Sequence, residues 1–122
     1  MGTWGSGNFD NDHALDYLAQ VCDPLVQKLV AIVEEPALAE ADEDGWVECL
    51  VAVEVLLTVG KYYVSAELSP ELVTARRDAL LPSWLATIDE LDPNPEYKAG
   101  KLQVINESFD KLLSQVRNQQ AA

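Results

Sequence analysis

Basic side chains are scarce in this chain. Eight lysines and arginines stand against 21 aspartates and glutamates, and the net charge is −13. Binding to bare nucleic acid or to an anionic membrane surface needs a basic footprint, so neither is expected. No apolar run approaches the roughly 18 residues that a transmembrane helix requires. The opening Met1-Gly2-Thr3-Trp4 has no basic segment followed by an apolar stretch. A signal peptide is therefore not expected, and the reading is a cytoplasmic protein. Histidine occurs once, as His13, and cysteine twice, as Cys22 and Cys49. No pair of these has the close spacing that structural zinc favours, so no metal is assigned. The nucleophile elbow, dinucleotide fingerprint and P-loop are absent too, which leaves no catalytic residues and no cofactor to name.

Hydrophobic residues make up 48% of the 122. That suffices for one core, so residues 1–122 read as a single domain. Alternation of apolar and polar residues never persists, whereas helical spacing recurs. The expectation is an all-α fold, a compact bundle of four to six helices around an apolar central helix. A glycine-rich arm over residues 1–9 packs on it, and residues 118–122 fray.

Asp23-Pro24, Ser69-Pro70 and Asn94-Pro95 look like helix starts, with a capping oxygen followed by proline at the first helical position. The first helix begins near Asp10 or Asn11. With Asp10 as N-cap, Phe9 is placed to fold back as a staple. Ala14, Leu18, Val21, Leu25, Leu29 and Ile32 then form a stripe at helical spacing. It passes through Pro24, where a break is expected. A second helix runs from about Trp46 to Val59, closed by Gly60, and is apolar nearly all round, as covered central helices are. A third starts at Pro70 and is interrupted by Pro82. The last, from Pro95 to about Asn118, carries Leu102, Ile105, Phe109, Leu112 and Val116 on one face. Cys22 and Cys49 read as small reduced core residues.

The opening reads Trp4-Gly5-Ser6-Gly7-Asn8-Phe9-Asp10-Asn11-Asp12, followed by Ala14, Asp16, Tyr17 and Leu18. This resembles the start of the mainly bacterial domain-of-unknown-function family 4259. Its members open with a Trp-Gly pair, a glycine, Phe-x-Asn-Asp, an alanine, and Asp before an aromatic residue. Ala52-Val53-Glu54-Val55 is similar to that family's apolar middle helix, and Asn106-Glu107-Ser108 through Leu113 to its final helix. Together these segments span the chain. The resemblance implies a small helical domain and carries no activity or catalytic residues. The acidic loop at 40–44 departs from the family pattern.

Gly5 and Gly7 permit close backbone approach, and Trp4 and Phe9 read as apolar anchors pinning the arm to the bundle. Glu54 lies inside Leu50-Val51-Ala52-Val53-Glu54-Val55-Leu56-Leu57. In a covered helix its carboxylate needs a donor, and the Trp4 indole or the N–H groups of the arm are the expected ones. Asp12, His13 and Asp16 fall within one helical turn, and the two aspartates read as capping and first-turn acids suited to the helix dipole. Glu40, Asp42, Asp44 and Gly45 match the start of a calcium loop, but Val51 stands where the bidentate glutamate belongs. The expected role of that loop is a solvated, helix-capping one.

Arg76, Arg77, Lys98, Lys101 and Lys111 are the basic grouping. Residues 1–61 hold twelve acids and two bases, and residues 62–122 hold nine and six. The first half is thus strongly negative, with Glu40, Asp42, Glu43 and Asp44 as an acidic interaction face. The functional expectation is a non-enzymatic protein-interaction module steered to a basic partner protein, such as an immunity or antitoxin-like protein. The alternative is a carboxylate-based metal-binding protein or metal-dependent enzyme using Asp12, Asp16 and Glu54, with His13. A homodimer is a further expectation, because five short helices would leave part of the central one uncovered.

Overall fold

The structure, a computed structural model, describes residues 3–121. Met1 and Gly2 of the expected arm and Ala122 of the expected tail lie outside the described residues. The fold is all-α. Four helices form the bundle: α1 (Asp12–Glu34), α2 (Gly45–Val59), α3 (Pro70–Thr87) and α4 (Pro95–Ala121). Single 3-10 turns over Pro36–Ala39, Gly60–Tyr62 and Ile88–Leu91 link them. Helices α1 and α4 each pack against both α2 and α3.

The caps explain where the helices begin. Asn11, not Asp10, caps α1: its Oδ1 accepts from the Ala14 N–H at 2.7 Å. Ser69 Oγ accepts from the Leu72 N–H at 3.1 Å, and Asn94 Oδ1 from the Glu96 N–H at 2.8 Å. Both residues precede a proline at the first helical position, as their sequence pattern predicts. Gly60 ends α2 with φ of 56°, a backbone state that favours glycine.

Two expected breaks do not occur. Pro24 lies inside a continuous α1 and Pro82 inside a continuous α3. A proline within a helix costs one backbone hydrogen bond and a ring clash, about 3 kcal/mol. Packing on both sides outweighs it. Cys22 and Val26 flank Pro24 and are buried, as are Leu80 and Trp84 around Pro82, while both rings face solvent. Beside Pro24, the Tyr63 hydroxyl donates to Asp23 Oδ1 at 2.7 Å, and Gln27 Nε2 donates to both Glu67 oxygens at 3.0 and 3.1 Å. These bonds clamp α1 to the segment after α2. At the other end of the chain, α4 continues to Ala121, past the expected frayed start at 118.

The core is one cluster drawn from every helix. It includes Leu18, Cys22, Val26, Leu29 and Ile32 of α1, and Ile105, Phe109, Leu112 and Val116 of α4. The α4 stripe is the expected one. On α1, Val21 turns outward and Cys22 and Val26 take its place. Trp46 and Trp84 meet edge to face, with ring centroids 6.0 Å apart. Both cysteines are buried and unbridged.

Candidate functional site

The N-terminal motif folds as a closed loop. The Trp4 N–H donates to the Asp10 carbonyl at 2.9 Å, and the Asp10 N–H to the Gly7 carbonyl at 3.1 Å. Asp10 Oδ2 accepts from the Gly7 N–H at 2.8 Å. A Cβ on Gly5 would lie 2.5 Å from Asp10 Oδ2, and one on Gly7 2.6 Å, so a side chain at either position would displace that carboxylate. Phe9 is partly buried, packs against the core and stacks on Tyr62 at 4.7 Å. It is the arm's anchor. Trp4 is not, with 58% of its surface exposed.

Glu54 is also exposed, which overturns its expected pairing with the Trp4 indole. The reason lies in helix geometry. Val47, Val51, Glu54 and Thr58 recur at helical spacing on one stripe of α2, and all four face outward. The core stripe is instead Trp46, Cys49, Ala52, Val53 and Leu56. The central helix is therefore covered on one side only, with Val47 45% and Val51 56% exposed. Trp4→Ala and Glu54→Ala each change stability by under about 0.5 kcal/mol. Urea denaturation of both single variants and the double variant checks this, and their effects add.

The candidate metal and acid–base residues do not converge. Asp12, His13 and Asp16 are all exposed on the first turns of α1, and Glu54 sits on α2. Among the described residues, no three His, Cys, Asp or Glu side chains are grouped to hold a metal ion.

The acidic loop leads into α2. The Glu43 N–H donates to the Glu40 carbonyl at 2.9 Å, and the Ala41 N–H to Thr87 Oγ1 at 2.8 Å, tying the loop to the end of α3. Asp44 occupies the N-cap position of α2, but its carboxylate makes no capping bond. Asp42, Glu43 and Asp44 are exposed and Glu40 half-buried. Glu43, Asp44 and Glu48 border a notch of about 250 Å³ whose apolar lining is Ile32, Leu38 and the carbon of Ala31. Lys28 reaches Glu48 at 2.6 Å. No lysine, arginine or histidine lies within 4 Å of the Asp42, Glu43 or Asp44 carboxylates among the described residues.

The basic grouping is dispersed. Arg77 lies 3.4 Å from Asp78 and 3.7 Å from Asp110, and Lys98 lies 2.8 Å from Asp89. Lys101 sits 5.4 Å above the Trp46 ring. Arg76 is fully buried, with all three guanidinium nitrogens unpartnered. Burial lowers its pKa to about 10, so it stays charged at neutral pH. Its place was legible as a position on the Val73, Leu80 and Trp84 stripe, which either Arg76 or Arg77 could share.

Burial pushes the Cys49 thiol up to about 12, against a smaller downward pull from Arg76. Burial and the bond to Asp23 raise the Tyr63 phenol above its ordinary 10. Both groups keep their protons in the fold where the unfolded chain releases them. Their stabilising contribution is full below pH 9, the ordinary thiol value, and is lost as pH climbs toward about 12. The urea midpoint falls between about pH 8 and about pH 10.5, and Cys49→Ala makes that fall shallower.

A family model described as Domain of unknown function (DUF4259) matches residues 2–92. The chain belongs to that family. The DUF4259 match contains the closed N-terminal loop, the acidic notch and the outward stripe of α2. It ends before α4, so the similarity read at Asn106 to Leu113 lies outside it. Comparison with curated proteins and with solved structures returns no match.

Proposed function

We propose that the protein is a non-enzymatic interaction module that receives a basic partner protein at the N-terminal end of α2. The acidic notch carries this reading. Among the described residues, Glu43 and Asp44 supply carboxylates that no cation of the chain pairs, Lys28 in the same lining being held by Glu48, and Ile32 and Leu38 supply apolar wall. A lysine or arginine side chain fits such a setting, its stem on the apolar wall and its head between the carboxylates. Val47 and Val51, farther along α2, are exposed apolar residues on the same helix. The preferred partner surface is therefore basic and amphipathic. The net charge of −13 supports fast, salt-sensitive capture of it.

An immunity or antitoxin-like role, covering the basic face of a toxin, is one form of this reading that suits the size and charge. A cytoplasmic setting agrees with the two unbridged cysteines. No described helix is long and apolar enough to cross a membrane. A second copy is the other occupant that the exposed α2 stripe supports.

Titration with a short arginine- and leucine-containing peptide at low salt, followed by amide chemical shifts, tests the proposal. Shifts centred on residues 43–48 that vanish in Glu43→Lys/Asp44→Lys support it. Shifts spread over the surface, or unchanged in that variant, overturn it.

A further inference from the structure

A second concavity lies elsewhere, between the C-terminal parts of α2 and α4. Its volume is about 780 Å³, and Leu57, Lys61, Asp110, Lys111, Gln115 and Gln119 are among its lining residues. The groove is shallow and largely open to solvent. Its walls are fixed by bonds between elements. Gln115 Nε2 donates to the Leu56 carbonyl at 3.1 Å, and Gln119 Nε2 to the Gly60 carbonyl at 3.2 Å. Lys61 and Lys111 are the positively charged residues of the lining.

Two lysines facing one groove are unusual in so acidic a molecule. Lys28, Arg77 and Lys98 each lie against a carboxylate. Neither Lys61 nor Lys111 has one within 4 Å among the described residues. The one carboxylate in the lining, Asp110, lies 3.7 Å from Arg77. The nearby acids are Asp110 in the lining and Glu107, one turn before Lys111 on α4, and neither carboxylate lies within 4 Å of a groove lysine. Leu57 and the carbon stems of the lysines and glutamines give the groove a mainly apolar wall.

We propose that this groove binds an amphipathic anion, a short apolar tail bearing one carboxylate or phosphate head. The tail lies on Leu57 and the head meets Lys61 and Lys111. The site is separate from the acidic notch and does not depend on it.

Titration with hexanoate, hexyl phosphate and the neutral hexanamide tests this, read by amide chemical shifts. The expected result is saturable binding of one or both anions, with shifts at Leu57, Lys61 and Lys111. Hexanoate against hexyl phosphate decides which head is preferred. Hexanamide binds about tenfold more weakly, and Lys61→Glu/Lys111→Glu weakens the anions by at least about tenfold. Both lysines are exposed, so the variant keeps the fold, which circular dichroism confirms. Glu43→Lys/Asp44→Lys leaves this binding intact. No saturable binding, equal binding of hexanamide, or undiminished binding by the lysine variant overturns the proposal.

Discussion

Gly45→Ala lowers the stability of the protein by about 1–3 kcal/mol, although alanine is the better helix former by up to about 1 kcal/mol. Gly45 is the first residue of α2. A Cβ there would press into the carbonyl oxygen of Leu38 and lie 2.9 Å from that carbonyl's carbon. The obstacle is backbone, so no rotamer change relieves it. Either the 3-10 turn over Pro36–Ala39 or the start of α2 must move. Both border the acidic notch, through Leu38 and through Asp44 and Gly45. The variant therefore loses affinity for a basic peptide as well as stability. Urea denaturation reads the first effect, and unchanged or increased stability would contradict the close-approach argument.

Arg76→Met raises stability by about 1–4 kcal/mol, the range for replacing buried ionic groups with apolar ones of similar size. Few core substitutions stabilise a protein, so the sign is diagnostic. The guanidinium is fully buried and none of its nitrogens has a hydrogen-bond partner. Methionine fills a similar length without a charge and adapts to irregular space. Arg76→Ala removes the same charge but leaves a cavity, and so gains less. Denaturant midpoints at neutral pH compare the three proteins. A loss of stability in Arg76→Met would show that the guanidinium is satisfied within the fold.

Much of the fold was legible because local signals and packing agree. The caps at Ser69 and Asn94, the glycine at 60 and the α4 stripe each have one reading. Pro24 and Pro82 mislead because they obey a local rule that burial on both sides overrides. The uninterrupted apolar spacing through Pro24 was the better guide. At Glu54 the signal lies in the helix face and not in the composition of the run. Glu54 and Thr58 mark the outward stripe of α2, and Val47 and Val51 share it. The apolar run hid a one-sided helix.

The site was less legible. The acidic loop is plain in sequence, but its notch needs Ile32 and Leu38 from two other elements. The lysine groove brings Lys61 and Lys111 together across 50 positions of chain, a distance that no periodicity spans. Gly45 carries no sequence mark of the Leu38 carbonyl against it. The N-terminal motif shows the reverse case. Its two glycines and Asp10 lie close in sequence and form one closed loop, so the pattern and its physical cause coincide.

The most direct measurement is affinity capture from host lysate at low salt, comparing the wild type with a variant in which Glu43 and Asp44 are reversed to lysine. The account predicts a basic protein retained by the wild type, released by moderate salt and lost from the variant. Retention of the same proteins by both, or of none by either, would contradict the acidic notch as a binding site.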